Sequence, residues 1–282
     1  MIRRTLESDW LLITRSEHAR MCGFLAGHWG NGGFIRSSSW DDIVLAAREH
    51  DNAWNSADFP PDLNDKGEPL DFLEVPFRDT FDVFRLCIRN VHNQGGPYAA
   101  SLVNRHFLNT ARNVRTHQRL TPEVEPIVEA YITESREREA RLCGEAENQA
   151  AYRRAVTPEG LERNGRFVST LDNLSLIACC GWSHVRSVRD VPAAEGYIEL
   201  AVQRVNDFSL LISPWPFDAE PLEWAVRGHR IPTGQKIEIT SGEKIYVGPM
   251  PLQLVAGSGG SVEVVHEAYA EERWAGRPLY EI

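Results

Sequence analysis

An α+β fold, a helical core followed by a smaller antiparallel β region, is what this 282-residue sequence predicts, and two changes of period carry the expectation. From Ser16 to Cys180 apolar residues recur at spacings of three and four, the signature of helices that bury one face. From about Gly196 onward the spacing becomes two, the signature of strands. The division falls near residue 190, giving a helical domain over 1–190 and a β-rich region over 191–282. A chain of this length suits one main domain with a small appendage. With 42% hydrophobic and 25% charged residues it has the composition of a globular protein with an ample core.

The elements follow in order. Trp10 to Thr14 is a short apolar run, expected as a strand or an extended lead-in. Ser16 caps a helix from Glu17 whose buried stripe is His18, Cys22, Leu25 and Trp29. His28 lies off that stripe, at the surface or helix end. After the Gly30 to Gly33 break, Ser39, Asp41 and Asp42 form the cap and acidic first turn of the next helix. That helix runs from Ile43 to Trp54, with Ile43, Ala46, Ala47, His50 and Trp54 on one face. Ser56 to Glu74, rich in Pro, Asp, Gly and Asn, reads as a long loop. A third helix over Arg78 to Asn93 turns Phe81, Phe84, Ile88, Val91 and His92 inward. Gly95-Gly96 ends it, and Pro97 opens a fourth with Ala99, Leu102, Val103 and His106 on its stripe.

Thr121 to about Ala155, dense in Glu and Arg, is expected as a solvated helix laced with ion pairs. A helix from about Arg166 to Cys180 places Asp172 on the same face as Val168, Ser175 and Cys179. Beyond it, Tyr197 to Val202, Phe208 to Ser213, Leu222 to Val226 and Leu252 to Val255 read as strands. So do Lys236 to Thr240 and Glu243 to Val247 around Ser241-Gly242, and Val262 to Val265 after Gly257 to Gly260. Pro214 to Phe217 is expected as a rigid turn that buries aromatic surface.

Charge and cysteine narrow the function. A formal net charge of -10 speaks against nucleic acid or an anionic membrane as partner. Five cysteines, odd in number and without CxxC spacing, suit reduced core thiols in a cytoplasmic protein. Charged residues at Glu7, Asp9 and Arg15 interrupt the start, so neither a signal peptide nor a membrane span is expected. No P-loop, Rossmann fingerprint, zinc knuckle or nucleophile elbow is present. His184, His229 and His266 share no spacing and are expected as non-ligands.

Four histidines on four helices thus turn inward, and Asp172 does so among apolar neighbours. A carboxylate buried alone costs several kcal/mol, so a cation is its natural partner. His18 in SEHARMCG, the pair His50-Asp51 in REHDNAW and Asp172 in STLDNLSL stand in the order of the HD-domain superfamily of metal-dependent phosphohydrolases, which the chain resembles over roughly residues 10–185. The phrases EHDNAW, GPYAASLVNRH, LDNLSL and PWPF also resemble an uncharacterised bacterial family of HD-like proteins.

The resemblance implies that His18, His50, Asp51 and Asp172 hold a divalent transition metal, with His50 and Asp51 at the catalytic centre. His92 and His106 would hold a second ion, bridged by Asp51. Imidazole with carboxylate suits Fe, Mn, Zn, Co or Ni. The expected substrate is a small molecule, a phosphate ester, attacked by a water that the cation makes acidic. Trp54 and Tyr98 are expected at the pocket mouth, and Arg15, Arg20, Arg78 and Arg105 are the nearby cations. A di-iron oxygenase on the same ligands and a non-catalytic binding or regulatory protein are the alternative readings. A Gly-Tyr-Pro signature is missing, the nearest phrase being Gly96-Pro97-Tyr98, so a cyclic dinucleotide substrate is unsupported.

Overall fold

The structure is a computed structural model that describes residues 1–6, 9–56, 58, 60–233 and 247–256. It is an α+β fold. Its helices are α1 (Arg15–His28), α2 (Trp40–Glu49), α3 (Phe77–His117), α4 (Glu125–Glu147) and α5 (Pro158–Cys180). The strands are β1 (Ile2–Thr5), β2 (Asp9–Ile13), β3 (Ser187–Pro192), β4 (Tyr197–Asn206), β5 (Ser209–Ser213), β6 (Leu222–Pro232) and β7 (Val247–Ala256).

Local chemistry explains most helix ends. Thr14, rather than Ser16, caps α1, its hydroxyl accepting from Glu17 N, while the Ser16 hydroxyl donates to the carbonyl of Asp51. Helix α2 stops at Glu49, so His50 is its C-cap and Trp54 falls in a short 3-10 turn over Asn52–Ser56. The expected break at Gly95-Gly96 is a kink: Gly96 adopts φ 81°, which a side chain would strain, and Pro97 restarts the helix at once. Helix α4 begins at Glu125, later than expected. Besides ion pairs such as Arg138 with Glu134, it buries Val128, Tyr131, Ile132 and Leu142. Helix α5 begins eight residues before the expected start, because Thr157 caps it through Gly160 N and Pro158 fills its first turn. Gly181, at φ 66°, ends it in the left-handed conformation.

The seven described strands form one sheet in the order β1-β2-β6-β7-β5-β4-β3. All neighbours are antiparallel except β5 and β7, which run parallel. The sheet therefore draws on both ends of the described chain: Trp10 of β2 faces Ile231 of β6. The hairpin expected around Ser241-Gly242 and the strand at Val262 to Val265 lie outside the described residues, as does His266.

The sheet backs α1 and α5. Phe24 of α1 packs on Trp224 of β6 with ring centroids 4.7 Å apart, and Arg227 N of β6 donates to Glu17 Oε1 at 3.0 Å. Arg4 of β1 donates to the carbonyl of Ala178 in α5 at 2.9 Å. At the C-terminal end of α1, Trp29 meets Phe34, Phe167 of α5 and Phe217 edge to face, so the turn after β5 does bury its aromatic. Helices α1 and α2 approach closely at Gly23, where a Cβ would lie 2.6 Å from Cβ of Arg48. Gly23→Ala should therefore push apart the two helices that carry His18 and His50. It is expected to cost about 1–3 kcal/mol, read as a lower urea midpoint at unchanged m-value.

Candidate metal centre

Four helices bring the site together. His18 sits one turn into α1, His50 caps the end of α2 with Asp51 next to it, His106 lies in the second half of α3, and Asp172 is mid-way along α5. All five are buried. Among the described residues, ligand atoms of His18, His50 and Asp51 lie within 4.8 Å of one another, as do those of His50, His106 and Asp172, and of His18, Cys22 and Asp172.

Each imidazole is held by its Nδ1 and presents its Nε2. His50 Nδ1 donates to the Ala47 carbonyl at 2.8 Å, a bond that also closes the last turn of α2. His18 Nδ1 is 3.1 Å from the Ser175 hydroxyl, whose own proton goes to the His18 carbonyl at 2.9 Å. The hydroxyl can thus only accept from the ring, which puts the proton on Nδ1. Ser169 does the same for His106: its hydroxyl, 3.0 Å from Nδ1, donates to the Gly165 carbonyl. Ser169, Asp172 and Ser175 stand three residues apart on α5, so one helix face supplies a carboxylate and both orienting hydroxyls.

The three Nε2 atoms converge on two carboxylates. His18 Nε2 lies 3.2 Å from Asp51 Oδ2 and 3.5 Å from Asp172 Oδ1. His50 Nε2 lies 3.2 Å from Asp172 Oδ1 and 3.7 Å from Asp51 Oδ2, yet it is buried without a hydrogen bond. His106 Nε2 faces the other oxygen of Asp172 at 3.7 Å. Asp172, not Asp51, is thus the carboxylate whose two oxygens face different imidazoles.

Electrostatics reflect this crowding. Burial alone would lower the His50 pKa, but the Asp51 and Asp172 carboxylates outweigh it and raise it to about 9. Burial opposes ionisation of Asp51, and His50, His18 and Arg15 overcome it, bringing the pKa down to about 2. Asp172 is lowered against its own burial by the same imidazoles. His106 is dominated by burial, only partly offset by Asp172, and falls to about 4.

The remaining expected site residues divide. Trp54 lines the cavity beside the cluster, with the Arg15 guanidinium 3.0 Å over its ring. Arg15 lines the same cavity and is fixed by Asp58, which accepts from its Nε at 3.0 Å and Nη2 at 2.6 Å. Two placements are corrected. His92 is half-exposed and pairs with Glu145 of α4 at 3.2 Å. It follows Val91 by one residue, about 100° around the helix, and the buried row Phe84, Cys87, Ile88 and Val91 passes it by. Tyr98 is fully buried away from the cavity, stacked on Tyr152 at 4.6 Å and accepting from Asn164 at 2.7 Å. Arg20 is exposed beside Glu17, Arg78 lines a separate surface groove, and Arg105 pairs with Glu139 and Glu162. His184 and His229 belong to none of the ligand groups.

Sequence reasoning missed Ser169, Asp58 and the orienting role of Ser175. Ser169 and Ser175 had a findable signal, since each stands three residues from Asp172. Asp58 had none: it is a loop aspartate that only the fold brings to Arg15.

Residues 1–233, which include every member of this cluster, match the family described as Protein of unknown function (DUF3891). The chain belongs to that family. No curated protein and no solved structure matches it. No helix among the described residues of this DUF3891 member is long and apolar enough to cross a membrane.

The raised His50 pKa sets a pH dependence for the metal-free protein. A group whose folded pKa exceeds its unfolded value of about 6.5 stabilises the fold fully below that value and loses the contribution as pH rises to about 9. Metal-free protein should therefore lose on the order of 3 kcal/mol between pH 6 and 9.5 in urea titrations. His50→Gln should flatten that profile.

Proposed function

We propose that this protein is a metal-dependent hydrolase of phosphate esters, of the HD type, with one divalent transition-metal ion held by His18, His50, Asp51 and Asp172. The observation that carries the reading is the convergence of ring Nε2 atoms, each with its Nδ1 engaged, on two buried carboxylates, with His50 Nε2 left without a hydrogen bond. Metal-binding histidines are oriented in this way, through the far ring nitrogen. The mixed nitrogen and oxygen donors suit Fe, Mn, Zn, Co or Ni. The resemblance to the HD superfamily rests in addition on the order of these ligands along the chain. With His92 on the surface, a second ion would have only His106 besides carboxylates already in use, so the proposal carries one.

Bound there, the ion would supply Lewis acidity to a phosphoryl oxygen and lower the pKa of a water. The chain's own groups do the rest. Asp51 and Asp172 remain ionised and compensate the cation. His106, which lines the cavity and whose ring Ser169 holds, is the group placed to accept a proton, with Nε2 as the receiving atom. Arg15, kept in place by Asp58 and Trp54, adds a positive charge beside the reacting group.

Purified protein should contain about one such ion per chain by elemental analysis, lost in His50→Ala and Asp51→Ala together with hydrolysis of an aryl phosphate. His106→Gln is expected to keep its metal and lose about 10²-fold in kcat. Two irons per chain would replace the hydrolytic reading with oxygen chemistry, and no metal after reconstitution would end both. Because the ion must displace the proton on His50, apparent metal affinity should rise about tenfold per pH unit below about 9, with proton release visible as buffer-dependent heats.

A further inference from the structure

Beyond the ligand cluster, the cavity changes character. Phe77, Phe81, Phe84, Phe107, Val114 and Leu176 are its main apolar wall, and Phe84 and Phe107 are stacked with ring centroids 3.7 Å apart. Apart from the four ligands and His106, the polar groups among its described lining are few: Arg15, Thr80, Thr110 and the indole of Trp54. The Thr110 hydroxyl donates to the His106 carbonyl at 3.1 Å, and Arg15 is the one Arg or Lys among the described lining residues. The cavity measures about 60 Å³. That leaves room for about four or five water-sized groups before the mouth.

We infer that the ester taken by this site has a narrow apolar alcohol portion, an aryl or short alkyl group, and is neither a nucleotide nor a polyphosphate. The inference rests on the hydrolase reading and names its substrate class. Selecting a nucleobase takes several convergent donors and acceptors, because discrimination comes from buried polar groups that the wrong ligand leaves unpaired. No Asn, Gln or Lys stands among the described lining residues to do this. A second phosphate needs further cations or fork-shaped donors, and the guanidinium of Arg15 is already engaged at Nε and Nη2 by Asp58. A ring or alkyl chain, by contrast, gains from leaving water against this wall.

The test uses the full chain loaded with Mn²⁺ and three probes that share a phosphoryl head: methylphosphonate, phenylphosphonate and adenosine 5′-monophosphate. Calorimetry should show phenylphosphonate binding at least about tenfold more tightly than either of the others. Phe77→Ala, a change at a partly exposed wall position, should narrow that margin. Equal affinity for the methyl and phenyl probes, tighter binding of the nucleotide, or no binding by a chain that holds its metal would each overturn the inference. Turnover separates it from the reading beneath it. A phenyl preference without hydrolysis of phenyl phosphate leaves the pocket assignment standing and refutes the hydrolase. Hydrolysis of methyl and phenyl phosphate at equal kcat/KM does the reverse. If the chain takes up no metal, the neutral pair phenol and adenosine decides: binding of phenol alone upholds the apolar pocket, and any other result overturns it.

Discussion

Two carboxylates buried against three imidazoles are the constraint on which the rest of this structure depends. Asp51 and Asp172 lie in the interior, where an unpaired negative charge is costly, and the rings of His18, His50 and His106 are their neighbours. Such a cluster tolerates little play. Each ring is therefore held from behind, His18 and His106 by hydroxyls of α5 and His50 by the last turn of its own helix. The helices have to arrive at fixed separations for this to work, and the close approach of α1 to α2 at Gly23 is one visible consequence.

The sheet gives those helices a rigid back. It covers the side of α1 and α5 opposite the cluster, through Phe24 on Trp224, Glu17 on the backbone of β6 and Arg4 on the end of α5. The aromatic group around Trp29 closes the end of the α1, α2 and α5 assembly. Among the described residues the cluster opens toward α3 and the loop after α2, where Trp54 and Arg15, the latter held by Asp58, form one side of the cavity and phenylalanines of α3 the other. A polar floor under an apolar wall follows from that geometry. The same phenylalanines that pack α3 on α4, such as Phe81 on Tyr131, also line the cavity.

The elements differ in how far the sequence revealed them. Periodicity turned His18, His106 and Asp172 inward correctly, because each lies within a long regular stripe of its helix. His92 misled for the same reason. It continues the stripe by a step of four from Ile88, but the buried row had already advanced to Val91, and α4 meets its flank with Glu145. Tyr98 follows a real helix restart at Pro97, yet the kink at Gly96 sets the direction of the second half of α3, and no local pattern reveals that direction. The strands β1 and β2 were the hardest part to place, since β2, on which β1 pairs, joins the rest of the sheet through β6, more than 200 residues away along the chain.

By itself the sequence determined the fold class, the run of helices ahead of β3 to β7, the interruption at Gly95-Gly96 and the inward turn of most of the ligand histidines. These are local properties, set by helix and strand periods, by caps and by the conformational freedom of glycine and proline. Tertiary structure alone decided which inward residues meet, that Asp172 rather than Asp51 faces two directions, that Asp58 fixes Arg15, and that the cavity wall is apolar. Those depend on distances between helices far apart in sequence, and a stripe specifies which face is buried but not which neighbour it is buried against.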